Sequence, residues 1–532
     1  MKTLIFHGYL LAGTGSNVYN AQLSRAFVRA GHEVHLLSQE RAPERLGFVD
    51  AHGDWDSGGT LKLRTAQDPV RCTAYRPDLG GLLPVYVLDR YDGVEAKTFL
   101  ECTDDEIEEY VERNVAAVRE VAERVRPDLA LANHLVMGPA ILARALGDDV
   151  PYAVKIHGSA LEYVVKRDPE RFLPWAREGL ARARTVLVGS RHTAESLWAA
   201  MDDEELPART RLGPPGVDVE AFSPAPPAEA KRRLAGLAQR LQDAEPEPAA
   251  EGSSFARDTA AAGHELARLD PEREKLVVFV GKLIVSKGVD LLAAAWPLVL
   301  ERVPDATLVV VGFGAYREGF ERLLRALEEG NGAALRELAE EGRAAEGGPR
   351  APLRHLLAHL DRTAGETASP GGGAVGGAAA GAGAEGGRRD LRVRLIGRLD
   401  HEELHDLLPA CDAQVVPSTF PEAFGMVAAE GAACGLLPIS AAHSGLAEVT
   451  AQLAEAVPPE AAPWLSFGVD DDAVPALADR IASWLEAPED LRRRTREALV
   501  AIARERFSWD GVARDAIAAA EGRLGDLRPP RG

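Results

Sequence analysis

Pro417-Ser418-Thr419-Phe420-Pro421-Glu422-Ala423-Phe424-Gly425-Met426-Val427-Ala428-Ala429-Glu430 follows an apolar run, Ala413 to Val416, that reads as a buried strand closing on Pro417. The sequence predicts a loop carrying Glu422, then a short Ala-rich helix from about Phe424 to Ala433, stopped by Gly435. The first N–H groups of such a helix lack intrahelical partners and can hold an anion or a row of hydroxyls. Glu422 falls in the loop and Glu430 two turns inside the helix. Two glutamates near a helix are usually solvated surface. These two follow a buried strand, at the end where open α/β sheets bind ligands.

A chain of 532 residues exceeds one core and implies two or three domains. Its formal charge of −21 argues against nucleic acid and against a polybasic membrane face. A site for an anionic substrate must therefore be locally basic, which makes individual lysines in loops informative. Cys72, Cys102, Cys411 and Cys434 have no metal-like spacing, so free thiols and a cytoplasmic location are expected. Met1 to Leu11 reads as a first strand, since His7 and Gly8 interrupt any signal-peptide pattern. The Ala/Gly runs are too weakly apolar for a transmembrane segment.

Along the chain, Thr3-Leu4-Ile5-Phe6 reads as a strand, Ala12 to Asn17 as a Gly loop containing Gly13 and Gly15, and about Val18 to Ala30 as a helix. A strand over Glu33 to Ser38 completes a βαβ unit. Gly-x-Gly alone equally fits a tight turn without a ligand, and Val18 replaces the third glycine of a dinucleotide fingerprint. About Glu44 to Leu100 is expected to be irregular, and Asp54-Trp55-Asp56 and Asp470-Asp471-Asp472 read as chance acidic pairs, not metal motifs. Thr103 and Glu106 form a capping box for a helix over Asp104 to Arg126. Later strands cover Leu129 to Asn133, Tyr152 to Ile156 and Thr185 to Val188.

His157-Gly158-Ser159 closes one of these strands; it reads either as a core histidine or as an imidazole donating to a substrate hydroxyl. In the second half, Leu276 to Val280 is a continuous apolar strand. It leads into Gly281-Lys282-Leu283-Ile284-Val285-Ser286-Lys287-Gly288, whose two cations can neutralise a diphosphate without a metal. Arg392 to Leu399 resumes the sheet after a stretch, about Gly330 to Arg389, whose Ala/Gly-rich later part is expected to be disordered. Lys231-Arg232-Arg233 reads as a solvated helical face, with peripheral contact to anionic lipid the alternative.

The two glutamates with seven residues between them, the first followed by Ala-Phe-Gly, resemble the signature of the retaining nucleotide-sugar glycosyltransferases of family 4. That resemblance implies the GT-B fold, an α/β arrangement of two facing Rossmann-like domains with the donor in the cleft. It implies an acceptor-side domain over 1–215, a donor domain over 216–507 and a last helix, 508–525, returning to the first domain, with insertions at 225–273 and 330–389. It assigns Glu422, with the N–H groups near Phe424 and Gly425, to the sugar hydroxyls, Glu430 to the ribose and His157 to the cleft. It gives Lys282 and Lys287 to the diphosphate, Gly397 and Leu399 to the nucleobase, and Gly13 and Gly15 to donor phosphates or acceptor. Lys282 stands where the family often has Arg, and Ser444 in His443-Ser444-Gly445 replaces one glycine of the family's Gly-Gly loop. The implied reaction is transfer from a nucleoside-diphosphate sugar with retention, without metal or cofactor, to an acceptor the sequence leaves open. An epimerase or hydrolase of the same fold, and a non-catalytic nucleotide- or glycan-binding protein, remain the alternatives.

Overall fold

A computed structural model describes residues 1–11, 15–56, 59–86, 95–148, 150–244, 257–367 and 388–530. The chain forms two compact units, Met1–Gly216 with Phe507–Gly532, and Val217–Arg506.

The first unit is built on β1 (Lys2–Phe6), β2 (Glu33–Leu37), β3 (Ala51–Trp55), β4 (Leu61–Thr65), β5 (Cys72–Arg76), β6 (Leu82–Val85), β7 (Glu95–Thr98), β8 (Leu129–Asn133), β9 (Tyr152–Lys155), β10 (Thr185–Val188) and β11 (Thr210–Leu212). Nine of these pair in the order β11-β10-β9-β8-β1-β2-β5-β3-β4, while β6 and β7 form a separate pair. Every pairing is parallel except β3 with β4. Central β1 and β8 are covered on both faces, which is why they read as unbroken apolar runs. The expectation of irregular chain over about Glu44 to Leu100 is corrected: β3 to β7 lie there. The extension β5-β3-β4 runs out to the sheet edge, and the edge strand Leu61–Thr65, exposed at every residue but Leu61, leaves no apolar run to recognise.

The first helix also starts earlier than expected, at Gly15, and runs to Arg29. Gly15 is thus its first residue, not a loop position, while Gly13 lies outside the described residues. The helix Asp104–Val125 has the Thr103–Glu106 capping box in full. The final helix, Trp509–Glu521, is N-capped by Ser508 and belongs to the first unit, where Val512 and Ala516 share a core with Ile5, Leu36 and Leu131.

The second unit has an all-parallel sheet of β12 (Lys275–Val280), β13 (Ala306–Val311), β14 (Val393–Gly397), β15 (Ala413–Val416), β16 (Leu437–Ala441) and β17 (Ser466–Phe467), ordered β14-β13-β12-β15-β16-β17. Strand order reverses between β12 and β15, so the loops leaving these two strands open side by side at the place where such sheets bind ligands. The stretch 225–273 contributes helices Pro227–Asp243 and Thr259–Leu266, and 330–389 contributes Gly332–Glu341 and Arg354–Thr367. The Ala/Gly tract expected to be disordered falls at 368–387, outside the described residues. Lys231 bonds Glu272 and Arg233 pairs with Glu229, so two of the three cations in Lys231-Arg232-Arg233 are committed within the fold.

The loops after β12 and β15 meet at Gly288, whose φ is +69° and where an added Cβ would stand 1.9 Å from the Pro417 carbonyl oxygen. Both the left-handed backbone and the close approach require glycine. Gly288→Ala is therefore expected to lower stability by about 2 kcal/mol or more, read as a fall in the urea midpoint; an unchanged midpoint would show that the two loops are free to move apart.

Candidate active site

The loop after β12 turns through a short helical segment, Val285–Lys287, and the loop after β15 lies against it, with Thr419 N–H donating to Ser286 O at 3.0 Å. That register carries Lys287 Nζ to Glu422 Oε1, where the Ser418 hydroxyl also donates at 2.7 Å. Lys287 and Glu422 are both partly buried, whereas Lys282 is exposed and has no bonded partner among the described residues. The sequence treated Lys287 and Glu422 as separate contacts to diphosphate and sugar; the structure pairs them.

The Glu422 loop is held from behind by His443-Ser444-Gly445. Glu422 N–H donates to Ser444 Oγ at 2.8 Å, and Gly445 N–H donates to Glu422 O at 2.9 Å. His443 Nε2–H donates to Ser418 O at 2.7 Å, leaving Nδ1 to accept from the Ser444 hydroxyl at 3.0 Å. Ser444 sits at a φ of 50°, the region a glycine occupies more easily, and its hydroxyl supplies an anchor that glycine lacks. Phe424 is buried, and the helix Met426–Ala433 begins after Gly425, whose φ is +123°. The N–H groups of Gly425, Met426 and Val427 have no acceptor among the described residues, which leaves a row of donors at this helix start.

Glu430 is buried, and its Oε1 bonds His401 Nε2 at 2.8 Å. Burial works against a charge on His401, but the hydrogen bond and charge of Glu430, with Asp218 and Glu402 behind, outweigh it and raise its pKa. Phe222 lies 4.9 Å from the His401 ring, centroid to centroid, and shapes its apolar side. Gly397 ends β14 at a φ of +82°, its carbonyl accepting from Gly312 N–H at 2.8 Å, and half-buried Leu399 follows. His401 was not found from sequence, because nothing local marks a histidine 29 residues from the carboxylate it holds.

In the first unit, His157 follows β9 and is partly buried. Asn133, at the end of β8, donates through Nδ2 to Phe6 O at 3.1 Å and Asn20 Oδ1 at 2.7 Å. Its Oδ1 must therefore be the acceptor that meets His157 Nε2 at 2.7 Å. The imidazole's one N–H is spent on Asn133, so in the neutral form Nδ1 can only accept, and the ring has no second N–H of the kind the expectation of a donating imidazole requires. Burial, then His134, Lys155 and His7, hold the His157 pKa well below its ordinary value, so the neutral form dominates. Asn20, on the helix that Gly15 begins, continues the network to His7 Nδ1 at 3.0 Å. Lys155 donates to Gly213 O at 2.5 Å, and burial lowers its pKa to about 7. Asn133-His134 closes a buried strand just as His157 does, and that shared pattern was the available signal for Asn133.

The acidic pair Asp54 and Asp56 is committed to Arg76 and Lys62. Among the described residues no three His, Cys, Asp or Glu side chains cluster as a metal site, and no helix is long and apolar enough to cross a membrane. The cysteines are free and buried.

The chain is similar to known proteins. A model described as Glycosyltransferase Family 4 matches residues 13–221, and models described as Glycosyl transferases group 1 match 274–338 and 390–500. The D-inositol 3-phosphate glycosyltransferase of Xylanimonas cellulosilytica is 25% identical over 511 residues, 94% of this chain and 89% of its own length. Glycogen synthase of Mycobacterium tuberculosis is 34% identical over 123 residues, 23% of this chain and 26% of its own. Among solved structures, sucrose-phosphate synthase of Thermosynechococcus elongatus has a TM-score of 0.54 at 18% identity over 99% of each chain. HepE of Anabaena in complex with UDP-glucose has a TM-score of 0.52 at 16% identity over 99% of this chain and 100% of its own.

One buried carboxyl beside the basic loop gives a pH test. Asp290, in the first turn of the helix Val289–Arg302, has an Oδ1 without a partner; burial raises its pKa to about 7 against the pull of its own and Leu291's N–H groups, with Glu346 adding to the rise. A carboxyl whose pKa is raised on folding favours the folded state at low pH, and that advantage is lost as pH climbs from the ordinary 3.8 to about 7. Asp290→Asn should therefore be more stable than the parent at pH 8, by a few kcal/mol at most, with the gap closing toward pH 4. Parallel urea curves at the two pH values would show the carboxyl titrates normally.

Proposed function

We propose, from the premise that this chain belongs to the family 4 and group 1 glycosyltransferases and has their GT-B fold, that it moves a sugar from a nucleoside-diphosphate sugar to an acceptor with retention and without a metal. The observation that carries this reading is the Lys287–Glu422 pair beside the uncommitted N–H groups of Gly425, Met426 and Val427. Lys287 and exposed Lys282 supply the positive charge a diphosphate leaving group needs, and the N–H row suits its oxygens or the sugar hydroxyls. Glu430, with one oxygen on His401, offers the other to the ribose, while Gly397 and Leu399 border the nucleobase. Gly13 and Gly15 go with the donor phosphates or the acceptor on the resemblance alone.

In the first unit, neutral His157 accepts a hydrogen bond from a substrate hydroxyl through Nδ1, with Asn133 as its positioning residue. Retention by front-face attack needs no carboxylate nucleophile, so the two-carboxylate logic of glycosidases does not transfer to Glu422 and Glu430. A relative named for D-inositol 3-phosphate spans 94% of this chain, which makes a polyol phosphate the first acceptor to try.

The two glutamates separate in a single experiment. Glu430→Gln touches a part of the donor that does not change during transfer, and should weaken UDP and donor alike, raising KM more than it lowers kcat. Glu422→Gln frees Lys287 from its carboxylate, so UDP affinity should stay level or rise while kcat falls about tenfold or more. Calorimetry with UDP beside steady-state kinetics with UDP-sugars decides it; equal loss of UDP affinity in both variants would end this division of roles. Metal independence is tested separately, since turnover should persist in excess chelator, and activity restored only by magnesium or manganese would refute it.

A further inference from the structure

We infer, resting on the assignment of Lys287 to the donor diphosphate, that Glu346 is a positioning residue for that contact: it caps the turn that carries Lys287. Glu346 falls within 339–389, between the stretches 274–338 and 390–500 that match the group 1 family, so the family pattern does not supply it. The turn Val285–Lys287 lacks a cap of its own, because Ile284 at its N-cap position has no side-chain oxygen and makes no cap hydrogen bond. Glu346 takes that part from 61 residues away, its Oε2 accepting from Val285 N–H at 2.8 Å. A bond from an N–H to a carboxylate is charge-assisted and among the stronger ones. The turn then closes on itself, with Lys287 N–H donating to Ile284 O at 3.0 Å and Gly288 N–H to Val285 O at 2.9 Å. Fixing Val285 therefore fixes the backbone from which the Lys287 side chain leaves.

Glu346 is itself held in place. Its side chain is 6% exposed, and Arg343 Nε donates to its Oε1 at 2.7 Å, which leaves Oε2 for Val285. The short turn Arg343–Glu346 lies on the helix Arg317–Glu328, where an added Cβ at Gly319 would stand 3.1 Å from Ala345 Cβ. It is closed by Arg343 N–H donating to Ala351 O at 2.9 Å and by Gly348 N–H donating to Arg343 O at 3.1 Å. Among the described residues Glu346 forms an ion pair with neither lysine of the basic loop, so it supports Lys287 through backbone and not by pairing with its charge. The carboxylate that does pair with Lys287 is Glu422, on the other loop. The two glutamates thus divide the work, one fixing the backbone of the turn and the other meeting the ammonium.

The full chain is titrated by calorimetry with UDP, ADP and GDP, and the tightest binder is carried forward together with its nucleoside. Glu346→Ala should lose about fivefold or more in affinity for the diphosphate, with nucleoside affinity unchanged. Glu346→Asp keeps the charge but is one methylene too short to reach Val285 N–H. It should show a loss of the same order, and it carries the test if the alanine variant does not fold. Glu346→Gln retains an oxygen for Val285 N–H, since half-exposed Arg343 can turn to water, and should bind like the parent. Arg336→Ala, at an exposed ion pair with Asp361 in the same segment, should also bind like the parent. In a Lys287→Ala background Glu346→Ala should cost nothing further, because Glu346 acts through that lysine. Diphosphate affinity unchanged or raised in the alanine and aspartate variants overturns the inference. So does an equal loss in both backgrounds, or a parallel loss of nucleoside affinity, either of which makes Glu346 a support of the fold at large. A parent that binds no nucleoside diphosphate sinks the donor reading and this inference with it; a parent that binds one, with Glu346→Ala unaffected, sinks this inference alone.

Discussion

A single close approach governs the second unit, that of the Pro417 carbonyl to the Cα of Gly288, with no room for a side chain between them. It locks two loops from strands on either side of the topological switch point, and the Thr419–Ser286 hydrogen bond extends the contact. Lys287 and Glu422, 135 residues apart in sequence, become an ion pair because their backbones have nowhere else to go. Such a partly exposed pair adds little to stability. Its consequence is electrostatic: the Lys287 cation is held half-neutralised by the Glu422 carboxylate.

The stretch 330–389 takes part in the same arrangement. Glu346, from one of its short helical turns, accepts from Val285 N–H at 2.8 Å and bonds Arg343 Nε at 2.7 Å. One carboxylate thus fixes the backbone of the basic loop, and its charge adds to the burial that raises the Asp290 pKa nearby. A segment whose composition suggests only a peripheral insertion supplies a strut to the loop that carries Lys287.

How much of this was legible depended on the range of the interaction. β12 and β15 were readable because strands covered on both faces become continuous apolar runs, and the helix at Asp104 because its capping box is local. β3 and β4 were missed because strands near a sheet edge mix exposed polar residues into the pattern, and buried β5 because Thr73 and Arg76 interrupt its apolar character. At the site, Glu422, Glu430, Lys287 and His157 stood out through a motif, yet their pairings did not. The His401–Glu430 bond and the Lys287–Glu422 pair join residues that only the sheet order brings together. Likewise the direction of the His157 hydrogen bond is set by Asn133, whose own orientation is fixed by Phe6 and Asn20.

The two units answer the charge problem of this acidic chain in different ways. The carboxyl edge of the second unit's sheet keeps full charges, on exposed Lys282 and on the partly buried Lys287–Glu422 pair. The first unit's central strands end instead in neutral groups. Burial depresses the pKa of His7 to about 4 and those of His134 and His157 well below the ordinary value, and brings that of Lys155 to about 7. Burial is the main cause, and a charge on any one of these groups would further oppose charging its neighbours, as His134, Lys155 and His7 do for His157. An edge of neutral imidazoles and carboxamides discriminates hydroxyls by hydrogen-bond direction, whereas lysines and free helix N–H groups attract phosphate oxygens at longer range. Hydroxyl groups and phosphate oxygens call for these two different kinds of surface.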